Sequence, residues 1–129
     1  MRYGAGEGSE RVGMNWAKIV SRGNAEHYRW GEECDGWHLV RSPELSVIEE
    51  HMPAGTSEVR HYHVRAQQFF YVLSGELTIE LEGQEMVLRG GKGMEIAPGQ
   101  WHQVMNRSEV EARMLVVSQP MSHGDRVIA

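Results

Sequence analysis

From residue 16 onward, apolar residues seldom recur at helical spacing; they alternate with polar ones, and turn residues break the pattern about every eight to twelve positions. ELTIELEG (residues 76–83) shows this most cleanly. Leu77, Ile79 and Leu81 fall on one face, with Glu76, Thr78, Glu80 and Glu82 on the other and Gly83 ending the run, which predicts a half-buried strand. LSVIEEHMPAG (45–55) predicts another strand. EMVLRGGKGMEIAPGQWHQVMN (85–106) predicts two more around Gly90, Gly91 and Gly93, and EARMLVVSQP (111–120) a last one closed by Pro120. Roughly eight to ten short strands with no strand–helix–strand alternation predict an all-β, antiparallel sandwich or barrel in a single domain.

Residues 1–13 depart from this texture. Gly4, Gly6, Gly8 and Gly13 stand among almost no apolar side chains, so the segment cannot bury enough surface to offset its ordering entropy. A flexible N-terminal arm over 1–13 and one β domain over 14–129 are the expected organisation. Met14, where the texture changes, is an alternative translation start.

Charge removes several classes of partner. The chain carries 13 Lys and Arg against 18 Asp and Glu, net −5, with no basic cluster, which argues against nucleic acid or an anionic membrane and favours a small-molecule ligand. No apolar run reaches membrane-spanning length and no hydrophobic leader opens the chain, so a cytoplasmic location is expected. Cys34, the one cysteine, cannot form an internal disulfide and has no cationic neighbours in GEECDGW to activate it.

Candidate chemistry concentrates in HYHVRAQQFFYVLSGE (61–76). On a strand, His61 and His63 share a face with Cα atoms about 6.5 Å apart, and two imidazoles at that spacing can converge on one ion. An isolated pair of this kind is more often solvated or hydrogen-bonded than metal-bound. The surroundings strengthen it. Gly55 to Gly75 reads G, five residues, H, x, H, four residues, Gln68, six residues, G; Gly91 to Asn106 reads G, five residues, Ala97, x, Gly99, two residues, His102, three residues, Asn106. The two stretches resemble the paired motifs of the cupin superfamily, with Gln68 where that family usually has glutamate and Ala97, beside Pro98, where it usually has proline.

The resemblance implies an antiparallel double-stranded β-helix, a jelly-roll barrel, with a divalent Fe, Mn, Ni, Co or Zn ion near its mouth held by His61, His63, Gln68 and His102. The residues alone leave Gln67 and Gln68 undecided, because Gln68, Phe70 and Val72 form one apolar face and Gln67, Phe69, Tyr71 and Leu73 another; the family spacing selects Gln68. An amide ligand carries no charge, so the ion would keep its full formal charge, bind more weakly, and polarise a bound carbonyl, enol or water more strongly. Glu50, if it faces inward, is the candidate catalytic base. Phe70 and Trp101, the latter beside His102, are the candidate substrate-pocket residues.

Phe69, Tyr71 and Leu73 need cover from outside the barrel, which predicts a homodimer or cover by the arm. His27, His38 and His123 have no partners at ligand spacing and read as structural or surface groups, and the polar tail SHGDRVIA as a lid or a frayed end. The resemblance implies a metal-dependent oxygenase, isomerase, lyase or decarboxylase acting on a small anionic or enolisable molecule. A non-catalytic module that binds a small molecule or metal is the alternative.

Overall fold

The computed structural model describes residues 19–129, so the expected arm, Met14 and Trp16 lie outside the described residues. Eleven strands follow: β1 (Glu26–Trp30), β2 (Cys34–Arg41), β3 (Ser46–Met52), β4 (His61–His63), β5 (Gln67–Ser74), β6 (Glu76–Leu81), β7 (Gln84–Arg89), β8 (Gly93–Ile96), β9 (His102–Met105), β10 (Ala112–Gln119) and β11 (Arg126–Ile128). No helix occurs among the described residues, and so none long and apolar enough to cross a membrane. One sheet runs β1-β2-β3-β10-β5-β8 and the other β11-β4-β9-β6-β7, all pairings antiparallel. The connections make a jelly roll, the double-stranded β-helix that the paired motifs implied.

Alternation determines which side chains meet between the sheets. On β5, Gln68, Phe70 and Val72 are buried, while Gln67, Phe69, Tyr71 and Leu73 point out. They meet Met114 and Val116 of β10 and, from the facing sheet, Leu77, Ile79 and Val104, forming the core. Thr78 is buried as well as its apolar neighbours, because its cross-strand partners Val87 and Met105 flank it on the outer face.

Two motif positions are architectural. Gly75 turns between β5 and β6 at φ +83°, and a Cβ there would lie 2.6 Å from the Glu111 carbonyl oxygen, so only glycine fits. Asn106, fully buried, donates to the Met52 and Val110 carbonyls at 2.8 and 2.9 Å and accepts from the Ser108 amide and hydroxyl. It satisfies the loop leading into β10.

The sequence reading needs two corrections. The segment after Gly91 is two strands, since Ala97–Trp101 leaves the sheet between β8 and β9. The tail is neither a lid nor frayed. Arg126–Ile128 pairs with β4, and Asp125 Oδ2 accepts the Arg65 and Ala66 amides at 2.9 Å each.

Candidate metal centre

His61 and His63 are buried on β4, and His102 opens β9 directly opposite His61. One ring nitrogen from each of the three lies within 4.8 Å of the others. Main-chain carbonyls set the rings. His61 Nδ1 donates to the Val59 carbonyl at 2.8 Å and His102 Nδ1 to that of Gln100 at 2.9 Å, which puts each proton on Nδ1 and leaves Nε2 as a lone pair. Burial, with the neighbouring imidazoles adding to it, pushes His61 and His63 down to about 4; burial lowers His102 too. All three are neutral near pH 7.

Gln68 enters from the other sheet. Its Nε2 donates to Ser118 Oγ at 3.0 Å on the paired strand, leaving the carbonyl as the free end of the amide. Gln68 Oε1, His102 Nε2 and His63 Nδ1 are buried without a hydrogen-bond partner among the described residues. Orphaned polar atoms are costly, and three gathered at one end of a barrel fit a cation that accepts their lone pairs. Imidazole nitrogens with an amide oxygen suit a divalent first-row transition metal.

His61, His63 and Gln68 line a cavity of about 300 Å³. Ile48, Phe70 and Val116 make its apolar wall. Glu50 faces inward from β3 and accepts a hydrogen bond from the Tyr28 hydroxyl at 2.8 Å. Tyr28 can lie there because its cross-strand partner is Gly36, where a Cβ would come within 2.3 Å of the ring. Burial raises the Glu50 carboxyl to about 7, the Tyr28 hydrogen bond opposing the shift. Glu58 also lines the cavity, 4.0 Å from His61 Nδ1, and burial together with the Glu50 charge raises it to about 8.

The cupin-domain family model matches residues 48–118, which takes in both histidine stretches. The chain is a cupin. It is 29% identical over 68 residues to the tetracenomycin polyketide synthase protein TcmJ of Streptomyces glaucescens, a match covering 53% of this chain and 46% of TcmJ. The chain thus spans about half the length of that relative. A protein of unassigned function from Aquifex aeolicus is 35% identical over 96 residues, 74% of this chain and 78% of the other. The solved polyketide cyclase RemF from Streptomyces resistomycificus superposes with a TM-score of 0.74 at 20% identity, covering 87% of this chain and 84% of RemF, a likeness of fold.

Not every residue singled out in the sequence reaches this cupin's cavity. Trp101 does not line it: as the neighbour of inward-facing His102 it points away, meeting Tyr62 at 4.7 Å between ring centroids and carrying the Arg60 guanidinium 5.3 Å from its ring centre. His123, read as structural or surface, sits on the cavity rim with its ring 5.3 Å from His38. Tyr28, Glu58 and Arg126 line the cavity without having been anticipated. The inward phase of Tyr28 could have been suspected from Gly36. Glu58 lies in an irregular segment, and no local pattern marks it.

Proposed function

We propose that this cupin is a metal-dependent enzyme acting on a small, anionic, enolisable carbonyl compound, with His61, His63, His102 and Gln68 holding the ion and Glu50 moving a proton. One observation carries the reading. His61, His63 and Gln68, neutral donor groups from the two facing sheets, line a single volume shared with a carboxyl group whose proton affinity lies near neutrality, and His102 pairs with His61 beside it.

Fe, Mn, Ni, Co or Zn fits the donor set, and any of them would supply Lewis acidity toward a carbonyl oxygen. The chain's own residues do the rest. Glu50 in its carboxylate form accepts the proton from the carbon next to the carbonyl while that C–H electron pair moves into the enolate. The same carboxyl then returns the proton to carbon. Tyr28 holds Glu50 in place throughout. Phe70, Ile48 and Val116 keep bulk water from the enolate. The names of TcmJ and RemF support this substrate class, since polyketides are chains of enolisable carbonyl groups. The proposal includes a cytoplasmic homodimer.

The test pairs metal content with proton exchange. Plasma mass spectrometry of tag-free protein is expected to find near-stoichiometric metal, lost in His61→Ala/His63→Ala. NMR is expected to show metal-dependent deuterium uptake at the central carbon of acetoacetate, abolished by Glu50→Gln. Uptake no faster than in buffer, or undiminished in Glu50→Gln, refutes the enzyme reading; saturable binding without uptake favours a binding module.

A further inference from the structure

We infer that Arg126 forms an anion subsite at the cavity mouth, where its guanidinium binds a carboxylate of the substrate and so sets the substrate's charge class. The inference deepens the reading of this cavity as the substrate site and rests on it.

The placement follows from register. β11 is antiparallel to β4, with Arg126 opposite His63 and Ile128 opposite His61. Cross-strand partners share a face, so Arg126 projects on the side of the sheet that carries the buried histidines, and it lines the cavity with them. Val127, opposite outward-facing Tyr62, takes the other face. Arg126 remains exposed, so its guanidinium meets incoming ligand without first being stripped of water inside the protein.

Its partnering is also distinct. Arg22, Arg29, Arg41, Arg60, Arg89, Arg107 and Arg113 each have a carboxylate within 4.0 Å. Among the described residues Arg65 and Arg126 have none, and of these two only Arg126 lines the cavity. The acid that shares the cavity most closely with it, Glu58, already accepts the Val104 amide at 3.0 Å. A guanidinium with its donor fork uncommitted, beside a cluster of neutral ligands, matches a carboxylate in geometry as well as charge.

The strand that carries it is held firmly. Beyond the two amides bound by the Asp125 side chain, the Val64 amide donates to the Asp125 carbonyl and the Ala129 amide to that of Arg60, each at 3.1 Å. Ser122, also on the cavity lining, sits before the turn at Gly124. An anchored strand places the fork without a folding cost on binding.

The experiment compares acetoacetate with its uncharged methyl ester by calorimetric or NMR titration at millimolar ligand. The proteins are wild type, Arg126→Gln and Arg126→Lys, each zinc-loaded and chelator-treated. Wild type is expected to prefer the anion in both states. Arg126→Gln should weaken acetoacetate roughly tenfold, Arg126→Lys less, and neither should change ester binding or zinc content. Equal losses for anion and ester, no wild-type preference, or a preference that survives Arg126→Gln would overturn the inference. A preference seen only with zinc and surviving Arg126→Gln would mean that the ion reads the charge, so the inference falls and the metal reading stands. An Arg126-dependent preference in protein that takes up no zinc would do the reverse.

Discussion

Replacing Glu50 by glutamine should make the metal-free protein more stable, and increasingly so as pH rises. The wild-type carboxyl titrates at about 7 in the cavity against 4.5 as its ordinary value. A carboxyl whose native value is raised contributes stability that is fully present below the unfolded value and is lost as pH rises through the native one, because the unfolded chain gives up its proton first. Two protonation equilibria with these values predict a loss of about 1.4 kcal/mol by about pH 5.5 and about 3.4 kcal/mol by about pH 8.5. Glutamine has no proton to lose and still offers a carbonyl to the Tyr28 hydroxyl.

The advantage of Glu50→Gln over wild type should therefore grow by about 2 kcal/mol across that window. Glu58 pushes in the same direction, since part of its own rise comes from the Glu50 charge. Urea unfolding of chelator-treated protein, followed by tryptophan fluorescence at the two pH values, measures the difference. The window stops short of strong acid, where histidine protonation destabilises both proteins. An unchanged difference, or a variant less stable than wild type at high pH, would show that Glu50 does not face an enclosed cavity.

His61 and His63, depressed from 6.5 to about 4, contribute stability that is present above 6.5 and lost as pH falls through 4; metal affinity of the folded protein should fall as pH approaches and passes 4, where protons compete for the lone pairs. Competition against a chelator of known affinity measures this, and affinity unchanged down to about pH 3 would contradict a histidine site. Light scattering should give the mass of a dimer for the wild type and of a monomer for Tyr71→Lys, because Phe69, Tyr71 and Leu73 are 41%, 37% and 39% exposed on one sheet face; a wild-type monomer would remove the dimer.

The parts of the fold legible in the sequence were those that bury one side of a strand. β5, β6 and β10 alternate because a barrel wall has an inside and an outside, and the motif spacings fix which side each ligand residue takes. β1 and β11 were harder to see. Both are short, β11 is exposed at every position, and what holds it is backbone pairing to β4 together with the Asp125 side chain, neither of which leaves an apolar period. Nearness in sequence also misled: Trp101 adjoins His102, and for that reason points away from it. Tyr28, Glu58 and the pair His123 and Arg126 reach the cavity from three separate segments, so only the closed barrel brings them together.

The exchange of a carboxylate for Gln68 is best understood together with those late-appearing residues. A glutamate at 68 would be an acid among the ligands, charged and drawn to the ion. In this chain the acids of the cavity are Glu50 on β3 and Glu58 before β4; burial keeps Glu58 largely protonated near neutral pH and leaves Glu50 about half so. The four groups proposed to hold the ion are then neutral, Glu58 is largely so, and the permanent charge among the residues lining the cavity is the Arg126 guanidinium. On the proposed reading, a bound divalent ion would give the cavity a net positive field that draws in an anion, and Glu50, not committed to the ion, would be free to take up and return a proton. Such a separation of ligand from base would give up some metal affinity and leave a carboxyl group able to titrate where the proposed chemistry needs it.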